Sequence, residues 1–179
     1  KSISSALASA KAKNVFFPDI EIENRDESWV HLTTARVLQN ASYQINKVSS
    51  DDSAEKNILE AVSIYSEDSD ASNVLKGVAI AKGMALTRKL GDLPSNICTP
   101  SYLAETAESL AKNYNLECEV LEESDMQVLG MNSLLSVSKG SFEAGKLISL
   151  SYNNAGEDQP VVLVGKGVTF DSGGISLKP

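Results

Sequence analysis

The sequence contains few of the residues on which nucleophilic and zinc-dependent catalysis usually rely. Its 179 residues include one histidine, His31, and two cysteines, Cys98 and Cys118, which lie twenty positions apart. A zinc ribbon or a thioredoxin-like site needs closely spaced cysteines, and a Ser-His-Asp triad or a His-rich zinc site would have to use His31. His31 lies in a helical pattern, where a structural role or solvent exposure is the more common outcome. Carboxylates and lysines are therefore the residues left to carry any chemistry.

The sequence also lacks long apolar runs and an excess of positive charge. It has no stretch of about eighteen apolar residues and no basic segment followed by an apolar core and a cleavage site, so we predict neither a membrane span nor a signal peptide. This pattern favours a cytoplasmic location. The formal net charge is −8, which argues against non-specific binding to nucleic acid or to an anionic membrane, because both need a cationic surface.

The composition, 42% hydrophobic and 22% charged, is that of an ordinary globular protein with one good core or two small ones. Strand-like and helix-like patterns alternate along the chain, which predicts an α/β fold with a mainly parallel central sheet flanked by helices. Strands are predicted at 15–17, 58–65, 116–120, 133–137, 147–152 and 161–164, and helices at 26–40, 73–90, 99–114 and 124–130.

The polar and acidic run at 66–73 predicts a domain boundary. Residues 1–66 then form the end of a smaller N-terminal α/β domain, and residues 67–179 form the start of a second domain. The chain begins with Lys1 rather than Met and stops at Pro179, directly after its richest motif. We therefore expect it to be a segment of a longer protein, truncated at both ends.

Some predicted helices carry signals of how they pack and where they begin. Trp29 lies on the apolar face of the first helix, which predicts a core position rather than a ligand platform. Gly77 and Gly83 lie inside the second helix, where each glycine costs about 1 kcal/mol relative to alanine, so both predict close approach of another backbone. Thr99 and Pro100 are typical N-cap and N1 residues and predict the start of the third helix. Ser124 is the predicted N-cap of the fourth.

The richest stretch is VVLVGKGVTFDSGGISLKP, residues 161–179. Its first four residues are apolar and mostly β-branched, which predicts a strand buried on both faces in the middle of a parallel sheet. Lys166, Asp171 and Lys178 follow that strand. Because ligands in open α/β sheets bind at the carboxyl ends of the strands, we expect the reaction centre here.

Phosphate binding is one interpretation of this stretch, because glycines after a strand can expose backbone amides to an anion. The spacing of Gly165, Gly167, Gly173 and Gly174 matches neither a P-loop nor the dinucleotide-binding fingerprint. Nucleotide binding is therefore disfavoured.

Metal binding is a second interpretation, because carboxylate oxygens suit divalent cations. A lysine beside such ions can act as a neutral amine ligand, and a second, protonated lysine can stabilise an oxyanion. The alternative is an ordinary turn, in which Asp171 closes an Asx turn and Lys166 and Lys178 are solvated. One aspartate and two lysines do not decide between these interpretations by themselves.

The run GKGVTFDSGGISLKP, Gly165–Pro179, resembles the signature of the leucyl aminopeptidase family, the cytosolic metallo-exopeptidases. Two further segments, Leu93–Pro100 and Gly130–Ser141, are similar to the family's sequence in order and spacing. The resemblance covers roughly residues 75–179. Asp92 stands where the family more often has Asn.

The resemblance implies that Lys166 ligates one metal ion through a neutral amine and that Asp171 ligates and bridges two. It implies that Lys178 is the protonated electrophile that faces the scissile carbonyl. The implied cofactors are two divalent ions, zinc, manganese or magnesium, which activate the nucleophile and polarise the carbonyl. The family's remaining metal ligands would lie beyond Pro179, so we expect residues 1–179 alone to be inactive.

The leading hypothesis is therefore a segment of a two-metal aminopeptidase that releases N-terminal amino acids such as leucine from peptides with a free N-terminus. The resemblance also implies a homohexamer. A DNA-binding side role, found in some bacterial relatives, gains no support from the net charge of −8. The alternative is a non-catalytic α/β module whose glycine-rich loop binds an anion or a partner.

Overall fold

The computed structural model describes residues 13–18, 20–41, 43, 60–66 and 70–170. They fall into two compact units, which meet in sequence at the Asp92–Leu93 bond. Helices and strands occur in both units, so the predicted α/β class is confirmed. The predicted domain assignment, 1–66 and 67–179, concerns the full-length protein and stays a prediction.

The first unit is a βαβ arrangement followed by a long helix. Its elements are β1 (Asn14–Phe17), α1 (Glu27–Ala41), β2 (Ala61–Ile64) and α2 (Ser72–Asp92). The strands pair in parallel, with Val15 opposite Val62 and Phe17 opposite Ile64. Parallel neighbours need a crossover connection, and α1 lies in that connection. The predicted strands at 15–17 and 58–65 are confirmed in their described parts, as are the first two predicted helices.

Helices α1 and α2 pack closely because α2 presents a glycine to α1. A Cβ atom built on Gly77 would overlap the carbonyl oxygen of Leu32 and lie 3.0 Å from the Cβ of Ala35. The predicted close approach at Gly77 is therefore confirmed. The same prediction for Gly83 is wrong within the described part of the chain, because a Cβ there would meet none of its atoms within 4 Å.

The buried face of α1 differs from the predicted one. Its buried residues are Val30, His31, Ala35 and Leu38. Trp29 is 37% exposed, and the guanidinium carbon of Arg25 lies 4.6 Å from the centre of its ring, so the predicted core position is wrong. Asp26 caps the helix by accepting a hydrogen bond from the backbone N–H of Trp29 at 2.8 Å. Trp29 therefore lies in the first turn of α1, and the buried residues of the helix begin with Val30.

The second unit contains an antiparallel strand pair and three helices. Its elements are α3 (Pro100–Tyr114), β3 (Glu117–Leu121), α4 (Glu123–Val128), α5 (Asn132–Ser138) and β4 (Leu147–Ser151). Cys118 lies opposite Leu150 in the strand pair. The side chain of Thr99 accepts a hydrogen bond from the backbone N–H of Tyr102 at 3.2 Å, so the predicted start of α3 is confirmed.

Three predictions for this unit are wrong in detail. Residues 133–137 are part of helix α5 rather than a strand. Glu122, not Ser124, is the N-cap of α4. Residues 161–164 are not in a strand, and their four side chains are between 74% and 94% exposed. A buried strand needs neighbours to pair its backbone groups, and among the described residues β3 and β4 pair only with each other.

None of the described helices is long and apolar enough to cross a membrane.

Candidate functional site

Lys166 is the one predicted site residue that the described part of the chain contains. It is exposed and lies in an irregular segment that follows the exposed apolar residues 161–164. Asp171 and Lys178 lie outside the described residues. The expectation that these three side chains meet at one site therefore stays a prediction.

The described glycines near Lys166 do not form an anion-binding nest. Positive φ angles occur at Asn24, Asn115, Gly130 and Gly156, and not at Gly165 or Gly167. An anion nest needs successive N–H groups in alternating right-handed and left-handed conformations. The described part of the loop, residues 165–170, lacks that alternation.

A Cβ atom would be accommodated at both of these glycines. One built on Gly165 would meet no described atom within 4 Å, and one built on Gly167 would lie 3.9 Å from Cδ1 of Leu103, an ordinary van der Waals distance. The described backbone therefore does not itself require glycine on either side of Lys166.

The described residues do not form a metal site by themselves. Within residues 13–170, apart from the gaps given above, no group of three or more His, Cys, Asp or Glu side chains is arranged to hold a metal ion. Lys166, the first of the predicted site residues in the sequence, is exposed and carries an amine. An amine nitrogen and the carboxylate oxygens of Asp171 have the donor chemistry that divalent zinc or manganese accepts, so the predicted residues fit such ions chemically.

A shallow groove of about 500 Å³ lies between β3 and α4. It is lined by Glu119, Val120, Leu121, Asp125, Val128 and Leu129. Lys166, the predicted site residue that the structure describes, does not line it. The groove is therefore a surface feature that does not include Lys166.

Sequence comparisons relate the chain to aminopeptidases. The model of the catalytic domain of the cytosol aminopeptidase family matches residues 85–179. A probable cytosol aminopeptidase of Vesicomyosocius okutanii is 58% identical over 173 residues, which are 97% of this chain and 36% of that protein. A probable cytosol aminopeptidase of Aromatoleum aromaticum is 44% identical over 186 residues, which are 99% of this chain and 37% of that protein. The chain thus spans little more than a third of the length of these relatives.

Solved structures resemble the chain in fold. The bottromycin maturation enzyme BotP, in complex with Mn, superposes with a TM-score of 0.79 at 27% identity, over 98% of this chain and 37% of that one. A tomato leucine aminopeptidase mutant superposes with a TM-score of 0.75 at 24% identity, over 95% of this chain and 36% of that one. The second similarity shows a common fold.

The family match covers the segment with Lys166, Asp171 and Lys178, and more than half of the chain. The chain therefore belongs to the cytosol aminopeptidase family.

Proposed function

We propose that the full-length protein is a two-metal aminopeptidase, which hydrolyses the N-terminal peptide bond of peptides in the cytoplasm. The observation that carries this proposal is the match of the family's catalytic-domain model to residues 85–179. That range includes the run Gly165–Pro179, whose lysines and aspartate have the chemistry that the reaction needs. The 58% identity to a probable cytosol aminopeptidase supports it.

In the proposed site, three side chains have different chemical roles. Lys166, as a neutral amine, would hold one ion, and the carboxylate of Asp171 would hold both. When bound, the divalent ions act as Lewis acids that activate water and polarise the carbonyl. Lys178 stays protonated and donates a hydrogen bond to the oxygen that becomes negative when the carbonyl is attacked.

The two lysines need different protonation states, and their surroundings supply the reason. A lysine beside divalent ions is in a strong positive field, which favours the neutral amine. A lysine that faces the substrate instead of the ions keeps its proton at neutral pH, because its ordinary pKa is about 10.4. The charge of Lys178 is then available where negative charge develops.

The proposed substrates are peptides with a free N-terminus, including those that begin with leucine. The proposed ions are manganese, zinc or magnesium, and manganese gains support from the Mn complex of the structurally similar BotP. We also propose a homohexamer. The predicted separation into a smaller N-terminal domain and a catalytic domain, at residues 66 and 67, belongs to the same proposal.

Two matched substrates test the aminopeptidase assignment with the full-length protein. Leucine amide should be hydrolysed, and N-acetyl-leucine amide should not, because acetylation removes the free amine by which an exopeptidase recognises the chain end. A chelator should abolish the hydrolysis and added Mn²⁺ should restore it. Equal hydrolysis of both amides would contradict the exopeptidase assignment. Metal-independent binding of phosphate without hydrolysis would favour the non-catalytic binding module.

A further inference from the structure

Two adjacent glutamates at the start of α4 form hydrogen bonds with the two residues that directly precede β4. The carboxylate oxygens of Glu122 lie 2.6 and 2.8 Å from Nζ of Lys146. One carboxylate oxygen of Glu123 accepts two hydrogen bonds, from the hydroxyl of Ser138 at 2.6 Å and from the backbone N–H of Gly145 at 2.9 Å. We call these five residues the clasp.

The clasp continues the register of the strand pair. Leu121 is the last residue of β3 and lies opposite Leu147, the first residue of β4. In an antiparallel register the next pairs along are Glu122 with Lys146 and then Glu123 with Gly145. Those are the pairs that the side chains of the clasp join, beyond the point where the strands themselves end.

The clasp is closely packed at Gly145. A Cβ atom built there would lie 2.7 Å from Cβ and 3.0 Å from the hydroxyl oxygen of Ser138. Real Cβ atoms do not approach so closely, so only glycine allows the backbone to reach the carboxylate of Glu123. The side chain of Lys146 is 14% exposed, although that of its partner Glu122 is 51% exposed. The side chain of Lys146 is thus largely shielded from water.

The bonds of the clasp depend on charge. The hydroxyl of Ser138 and the N–H of Gly145 hold the pKa of Glu123 below its ordinary value, because both donate to the ionised carboxylate. Other charged groups lie on the surrounding elements: Glu122 and Asp125 on α4, Glu117 and Glu119 on β3, and Lys139, Glu143 and Lys146 between α5 and β4. Helix α5 carries no charged residue.

We propose that the clasp is an acid-sensitive contact. The ionised Glu123 holds the residues that lead into β4 and so sets the register of β4 on β3. The segment Gly130–Ser141, which resembles the family, contains no proposed metal ligand. Its role in the clasp is to supply Ser138, one of the two hydrogen-bond donors to Glu123. The clasp goes beyond the proposed aminopeptidase reaction and does not depend on it.

The direction of the pH dependence follows from the lowered pKa of Glu123. A carboxyl whose folded-state pKa is lowered stabilises the fold fully above its unfolded value, which is about 4.3 for glutamate. That stabilisation is lost as the pH falls through the lowered, folded-state pKa. The clasp is therefore closed at neutral pH and opens in acid.

Hydrogen exchange in the full-length protein tests the proposal, with the protection factors of the Gly145 and Leu147 amides as the readout. Glu123→Gln keeps the shape of the acceptor and removes its charge, and Glu108→Gln on the exposed side of α3 is the matched control. At pH 7 we expect about tenfold lower protection in Glu123→Gln than in the wild type, because bonds to charged acceptors are roughly twice as strong as neutral ones. Once the pH falls below the lowered pKa of Glu123, the two proteins should be equally protected.

Equal protection at pH 7 in Glu123→Gln and the wild type would overturn the proposal. A second measurement needs no variant: the ¹³C chemical shift of the Glu123 carboxyl should titrate together with the protection of the Gly145 amide. Independent titration of the two signals would also overturn it.

Discussion

Two lysines and one aspartate carry the proposed chemistry, each through a different property of its side chain. In the proposal, Lys166 is a neutral donor, Asp171 a bridging anion and Lys178 a retained positive charge. A substitution at each position should therefore change a different measurable quantity. Metal content reports on the first two residues, and turnover at full metal occupancy reports on Lys178.

Lys178→Ala in the full-length protein should leave the metal content unchanged and lower kcat for leucine amide about 100-fold or more. Loss of one group that stabilises a developing oxyanion typically costs a factor of this size. Metal analysis and steady-state kinetics on the same sample make the measurement, and Lys112→Ala at an exposed position of α3 is the control. A kcat within threefold of the wild type would contradict the assigned role.

The structure agrees with the sequence prediction for His31 and disagrees with the one for Trp29. The sequence favours a structural or solvent-exposed His31 over a catalytic one, and the structure places it in the buried face of α1 with Nε2 3.5 Å from a carboxylate oxygen of Glu27, one turn earlier. The predicted apolar face of the helix places Trp29 in the core. It lies in the first turn of α1 over Arg25, a cation–π contact that periodicity does not encode.

At the scale of helices, α2 contains a matched pair of glycines, Gly77 and Gly83. Gly77→Ala should destabilise the first unit by about 2 kcal/mol or more, because the new methyl group would overlap the carbonyl oxygen of Leu32 and packed cores resist added volume. Gly83→Ala should stabilise it by about 0.5 to 1 kcal/mol, because a Cβ there meets nothing within 4 Å and alanine is the better helix former.

Hydrogen exchange of the α1 and α2 amides in the full-length protein measures both changes. The two variants differ by the same methyl group in the same helix, so their comparison separates a steric effect from helix propensity. Equal effects of the two substitutions would show that Gly77 is not a contact point.

The predicted strand with regular alternation forms, whereas the predicted strands at 133–137 and 161–164 do not. Glu117 and Glu119 alternate with Cys118 and Val120, and β3 forms there. Residues 133–137 are too short an apolar run to distinguish a strand from a helix, and backbone bonds such as Leu135 N–H to the Met131 carbonyl close a helical turn instead. Residues 161–164 have strand composition, but among the described residues no neighbour pairs with them.

At the scale of the whole molecule, the chain corresponds to 36% of a curated relative's length. The α/β class and the family were predicted from the sequence, the class from alternating patterns and the family from the run Gly165–Pro179. The close packing of α1 on α2 was predicted only at Gly77. The clasp was not predicted, because its two acids and its Gly-Lys pair are about twenty residues apart and have no motif in common.

Residues 1–179 as a separate protein should not hydrolyse leucine amide. They contain three proposed site residues, and the family resemblance implies further carboxylate ligands elsewhere, so the ions would be incompletely held. An assay with purified protein and added Mn²⁺ measures this directly. Metal-dependent hydrolysis at a rate comparable to that of the full-length protein would contradict the assignment of ligands outside this range.

The most direct test of the account is the number of metal ions bound per chain in the full-length protein, measured by elemental analysis for the wild type, Asp171→Ala and the control Asp158→Ala, whose aspartate lies in an exposed turn. We predict two ions in the wild type and in the control, and fewer than one in Asp171→Ala, because the bridging carboxylate is lost. Two ions in Asp171→Ala together with full hydrolysis of leucine amide would contradict the proposed site.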